Sequence, residues 1–209
     1  MASEITVQTI RGPASGANAN KILIPAGQTL TLEDKLSYDN FPANSVIQKI
    51  VGRSSALSSA NPAGVWAEVN SAYRVSITPN YSNSLILLEY GIPMNPAGAA
   101  NILMACAPWR STDGGSTQTR SISGAGIASG SRWPIATAWF RSSNGYDGND
   151  SQHHIVTTYD FPNTTGTVVY GFQFRSEGTN ATYFNHSNGD NSSWGWTSQI
   201  VITATEIKQ

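Results

Sequence analysis

A chain of 209 residues with 12 Lys+Arg, 13 Asp+Glu and a formal net charge of −1 carries no electrostatic footprint for a nucleic-acid backbone, which argues against DNA or RNA as a partner. Charged residues make up 12% of the chain, about half the usual share, while Gly, Ser, Thr and Asn abound, so strands and turns are favoured over helices. A single cysteine, Cys106, excludes an intrachain disulfide, and no stretch approaches the ~20 apolar residues of a membrane-spanning helix.

A surface so poor in charge stays in solution through Ser, Thr and Asn, or else hides against copies or partners, because near-zero net charge promotes association. Oligomerisation is the expectation. Cys106 lies in the apolar run Asn101-Ile-Leu-Met-Ala-Cys-Ala and reads as a small buried hydrophobe. The start, Met1-Ala-Ser-Glu-Ile-Thr-Val, lacks the basic and apolar regions of a secretion signal, which implies assembly in a cytoplasm. Sequons beginning at Asn80, Asn163, Asn180, Asn185 and Asn191 then read as turn chemistry, not glycosylation sites.

In chain order, residues 1–42 come first and differ from the rest. Ile5, Val7 and Ile10 alternate in one short apolar piece, and Ile22, Leu23 and Ile24 form a second, followed by a Pro25-Ala26-Gly27 turn. Neither piece has the mass for a core of its own. The segment is expected to be an extended N-terminal arm whose six apolar residues anchor it to, or intertwine it with, another chain.

Residues 43–209 form the main domain. Strand signals bounded by Gly, Pro, Asn and Ser recur at 45–51, 66–69, 73–78, 84–92, 101–107, 154–159, 167–175, 181–185 and 198–207. That spacing predicts an all-β, antiparallel β-sandwich. In 167–175, Val168, Tyr170, Phe172 and Phe174 alternate with Val169, Gly171, Gln173 and Arg175, giving one apolar face. In Ser84-Leu-Ile-Leu-Leu-Glu-Tyr the apolar run is unbroken, so cover is expected on both faces, and Glu89 needs a partner or an exit to solvent.

Between 111 and 150 the pattern turns to Gly- and Ser-rich loops, a length that in a compact domain usually carries function. Six tryptophans punctuate the chain, most of them in or beside irregular segments. Trp109, Trp133, Tyr146, Trp194 and Trp196 are the candidate contact patch, since exposed aromatic rings stack on sugars or anchor protein contacts. Trp194-Gly-Trp196 would place both rings on one side if extended.

Catalytic signatures are missing. No Gly-x-Ser-x-Gly pentapeptide occurs, and Gly124-Ala-Gly-Ile-Ala-Ser-Gly departs from the phosphate-loop spacing by one residue. Asp147, Asp150, Asp160 and Glu177 show no pairing suited to glycoside hydrolysis and read as solvated loop carboxylates. His153 and His154 are neighbours on a strand, so they point to opposite faces and cannot easily share one metal ion. No enzyme, cofactor or metal is expected.

Tyr73-Arg-Val-Ser-Ile-Thr-Pro-Asn-Tyr-Ser-Asn-Ser-Leu-Ile-Leu-Leu-Glu-Tyr resembles a segment of C-terminal knob domains in tailed-bacteriophage fibres and other virion appendages, cyanophage and marine-phage proteins among them. In these, an Ile-Thr-Pro-x-x-x-x-Ser turn leads into an apolar strand. The ending Trp196-Thr-Ser-Gln-Ile-Val-Ile-Thr-Ala-Thr-Glu-Ile is similar to their closing strand, and Ser45-Val-Ile-Gln-Lys-Ile-Val to their first. The resemblance spans 45–207 and leaves 109–150 unmatched.

It implies a jelly-roll-like sandwich knob, commonly a homotrimer, displayed on an appendage that the N-terminal segment attaches to other virion proteins. Only about forty residues precede the knob, the scale of a short tail fibre or of a head decoration (cement) protein. The expected function is thus that of a structural virion protein for host attachment, touching a host surface glycan or a neighbouring virion protein, with no membrane insertion. A glycan-active tailspike-like enzyme is the disfavoured alternative.

Overall fold

The computed structural model describes residues 14–16, 26–27, 41–96, 102–120, 122–126, 137–141, 152–176, 181–187 and 196–209. The chain divides into two compact units, Met1–Asn40 and Phe41–Gln209. In the first, the described residues are a bend at 14–16 and the Ala26-Gly27 turn, where Gly27 has φ 80°, a conformation that costs glycine little. The candidate anchors Ile5, Val7, Ile10, Ile22, Leu23 and Ile24 lie outside the described residues.

The second unit holds the strands β1 (Val46–Ser54), β2 (Ser58–Ala60), β3 (Ala67–Glu68), β4 (Val75–Ile77), β5 (Leu85–Pro96) and β6 (Ile102–Ser111). They continue with β7 (Thr137–Arg141), β8 (Gln152–Asp160), β9 (Val168–Ser176), β10 (Thr182–Phe184) and β11 (Ile200–Ile207). Among the described residues there is no helix.

In one sheet, β11 and β10 lie end to end along one edge of β5 and β8 lies along the other, with β1 outside β11 and β2 outside β10. In the second, β3 and β4 share one edge of β9, β6 takes the other, and β7 lies outside β6. Every pairing is antiparallel.

Alternation decides which side chains meet. Ile86, Leu88, Tyr90, Ile92 and Met94 from β5, Ile200, Ile202 and Ala204 from β11, and Val168, Tyr170, Phe172 and Phe174 from β9 fill one shared core. Tyr73, Phe172 and Phe184 stack at its centre, with ring centroids 6.1–6.5 Å apart. The two sheets therefore pack as a β-sandwich. Within the continuous apolar run, Ile86 and Leu88 are fully buried, Leu85 and Leu87 are half-buried on the outer face, and Glu89 exits to solvent.

One end of the sandwich is closed by buried carboxylates. The registers Gln48↔Glu206, Glu206↔Ile86 and Ile86↔Asp160 set these four residues side by side across β1, β11, β5 and β8. The turn at 80–84, which follows Ile77-Thr78-Pro79, wraps Glu206: its Oε1 accepts from Asn80 N, Tyr81 N and Ser84 Oγ, and its Oε2 from Gln48 Nε2 and Asn80 Nδ2, at 2.6–3.2 Å. Burial alone would raise the Glu206 pKa. The bonds from Ser84, Gln48 and Asn80 outweigh it and hold the carboxyl below the ordinary glutamate value.

Asp160 is equally buried. It accepts from Arg110 Nη1 at 3.0 and 3.1 Å, from the Tyr170 hydroxyl at 3.1 Å, and from Ser123 N and Oγ. The expectation of a solvated loop carboxylate is thus corrected for Asp160, which closes β8 inside the sandwich as the partner of Arg110. Asp147, Asp150 and Glu177 lie outside the described residues.

Candidate functional site

The opposite end of β5 carries a surface cleft of about 300 Å³, lined by Pro93, Gln152, His153, Trp196, Thr197 and Ser198. Three segments meet there, and each is placed by a local feature of the sequence. Pro93 sits in β5 opposite His153 and has no N–H to give, which suits a position where ladder bonding gives way. Its carbonyl accepts from Asn185 N at 3.2 Å.

Gln152 and His153 open β8 and both border the cleft, Gln152 from the end of the strand and His153 from the outer face of the sheet. Gly91, two residues before Pro93, makes room for the imidazole: a Cβ there would lie 3.2 Å from His153 Nε2. The adjacent His154 is half-buried, with its Nε2 3.1 Å from Gln152 Oε1. Burial lowers the His154 pKa, and His153 acts in the same direction. With its carbonyl oxygen engaged, Gln152 keeps its amide NH2 as a donor for a ligand.

Trp196 is held through its backbone. Ser187 N donates to Trp196 O at 3.2 Å, Trp196 N donates to Ser187 Oγ at 3.3 Å, and His186 bridges to Thr197. Ser198 N closes the stem on Asn185 O at 2.8 Å. Asn185, buried at φ 67°, donates through Nδ2 to Ser54 O and Ala56 O, which ties the stem to the turn after β1. The indole nitrogen of Trp196 is shielded and has no partner among the described residues, so the exposed part of this half-buried side chain is hydrocarbon.

Of the candidate patch, Trp196 alone is both described and at a surface. Trp133, Tyr146 and Trp194 lie outside the described residues. Trp109 is corrected: it is fully buried on the outer face of β6, in register with Gly171, and no ligand reaches it. The absent side chain of Gly171 makes its seat, for a Cβ there would meet the indole at 2.6 Å. The Arg74 guanidinium lies over the ring at 5.3 Å, and Arg74, Glu68, Gln118 and Gln173 bond to one another above it.

Pro93, Gln152, His153, Thr197 and Ser198 were not legible as one site, because the registers of β5, β8 and β11 are what bring them together. The Gly91-x-Pro93 spacing was the available signal, a break in a strand otherwise filled with large side chains. Among the described residues, no group of three or more His, Cys, Asp or Glu could hold a metal ion. Cys106 is buried, which pushes its thiol pKa well up. No protein-family model matches the chain, and a comparison with curated proteins finds no match.

Proposed function

We propose that the chain is a structural subunit of a bacteriophage particle, with residues 43–209 forming a self-associating jelly-roll-like knob on a short appendage and residues 1–42 acting as the anchoring arm. The observation that carries the reading is the outer face of the β1–β11–β5–β8 sheet. Ile155 there is 75% exposed, Val51 43% and Tyr159 42%, beside half-buried Leu87 and Val201. The registers set Lys49, Arg53, Glu89 and Thr157 on the same face, so it is a mixed surface with exposed aliphatic and aromatic side chains among a few charges, and on a chain with so few charges overall it is suited to cover by a second copy.

Strand order supports the jelly-roll assignment. Taking β1, β4, β5, β6, β7, β8, β9 and β11 as eight successive strands, one sheet runs first, eighth, third, sixth and the other second, seventh, fourth, fifth. Two Greek keys interleave in that way, an architecture used by viral capsid and lectin domains. The link from fold to role is an analogy. Two segments on which the resemblance to phage knobs rests meet in this fold: Ser84, from the Ile-Thr-Pro-x-x-x-x-Ser turn, donates to Glu206, from the closing Glu-Ile pair, at 2.6 Å. Two of the three segments behind the resemblance are thus halves of one clasp.

Light scattering on the full chain tests the reading. A trimer at micromolar concentration is expected, and Ile155→Glu should shift it toward monomer by placing a charge in the covered face. A wild-type monomer would overturn the knob reading.

A further inference from the structure

We infer that the Pro93/Trp196 cleft is a binding site for a neutral saccharide, which stacks one ring face on Trp196 and is held at its hydroxyls by Gln152, His153 and Ser198. This names the ligand for the contact role proposed above and rests on that reading. The inference starts from charge. Among the described residues that line the cleft there is no carboxylate, lysine or arginine, so these residues offer nothing to an ion of either sign beyond one imidazole. What it does offer is mixed: an indole whose exposed part is hydrocarbon, a proline ring, an amide, an imidazole and two hydroxyls.

A purely apolar ligand would leave those polar groups without partners, which is costly once water is displaced. A strongly hydrated polar ligand would gain nothing from Trp196. A pyranose satisfies both, since its axial C–H face is apolar and meets the electron-rich face of an aromatic ring, while its rim of hydroxyls both donates and accepts. The volume, about 300 Å³, lies at the small end of ligand sites and suits one or two sugar units.

The cleft is also built to stay open. His153 rests against the gap at Gly91, Gln152 is steadied by His154, and the main chain that carries Trp196 is held by Ser187 N and Oγ. Positioning of this kind removes ordering cost from binding.

Saturation-transfer NMR on the full chain, with methyl glycosides of glucose, galactose, mannose and N-acetylglucosamine at millimolar concentration and sialic acid as an anionic comparator, tests the site. At least one neutral glycoside should show transfer to its ring protons. Trp196→Ala and Gln152→Ala should each weaken its Kd at least tenfold, with the urea unfolding midpoint close to that of the wild type. Trp196→Phe, which keeps an aromatic face, should retain most of the affinity. Absence of transfer from every neutral glycoside, binding of sialic acid alone, or binding that survives both alanine variants would overturn the proposal. Light scattering on the same samples separates the two readings: a trimer that binds no sugar removes this inference alone, whereas a monomer removes the knob reading.

Discussion

At one end of the sandwich Gln48, Glu206, Ile86 and Asp160 stand side by side across four strands, and all four carboxylate oxygens accept hydrogen bonds. At the other end Pro93, Gln152, His153 and Trp196 surround an open cleft, and the buried indole nitrogen of Trp196 has no partner among the described residues. The first arrangement spends polar groups on closing the fold. In the second, polar and aromatic surface is left over. A buried carboxylate with donors on every side is stable only while each donor stays in place, so that end tolerates little change. At the cleft end the bonds run through the main chain and the buried Asn185, which leaves the side chains of His153 and Trp196 available to something outside the chain.

Substitutions at the two ends should therefore differ in kind. Asp160→Ala is expected to cost about 3–5 kcal/mol, because it strands the buried Tyr170 hydroxyl and removes the partner of Arg110; urea unfolding measures this. Gly171→Ala should cost about 1–3 kcal/mol by forcing the Trp109 ring off its seat, and the loss of near-ultraviolet dichroism should accompany it. Little or no cost there would mean that Trp109 has another place to go.

A smaller effect comes from pH. The folded-state pKa of Glu206 lies below its unfolded value, so its contribution is fully present above about pH 4.3 and is lost as pH falls through the folded value. The urea midpoint of the wild type should fall in that window, and Glu206→Gln, already destabilised at neutral pH, should show a shallower acid limb. An identical acid limb in both would assign the acid sensitivity to other groups.

The strands were legible in the amino-acid sequence but the two ends were not, and the failures have physical causes. The alternation of Val168, Tyr170, Phe172 and Phe174 placed β9 and its buried face correctly, and the continuous run at 85–88 placed β5. β2 was missed because Ser58-Ser59-Ala60 has almost no strand propensity and is a strand only through its pairing with β10. β7 was missed because five residues, Thr137–Arg141, sit within a Gly- and Ser-rich region and are called into a sheet by β6. Trp109 was misplaced for the opposite reason. Its position beside a long loop suggested exposure, whereas the gap at Gly171 on a non-adjacent stretch of chain decides where the ring goes. The clasp between Ser84 and Glu206 was present only as two separate motifs, 122 residues apart, and no local pattern links them.

Urea unfolding of Glu206→Ala and His153→Ala side by side tests the contrast between the two ends most directly. Removing Glu206 leaves the donors of Asn80, Tyr81, Ser84 and Gln48 without their acceptor and should cost at least about 3 kcal/mol, with the m-value unchanged. Removing the exposed His153 imidazole should change stability by no more than about 0.5 kcal/mol. Equal costs at the two positions, or a larger one at His153, would contradict the account.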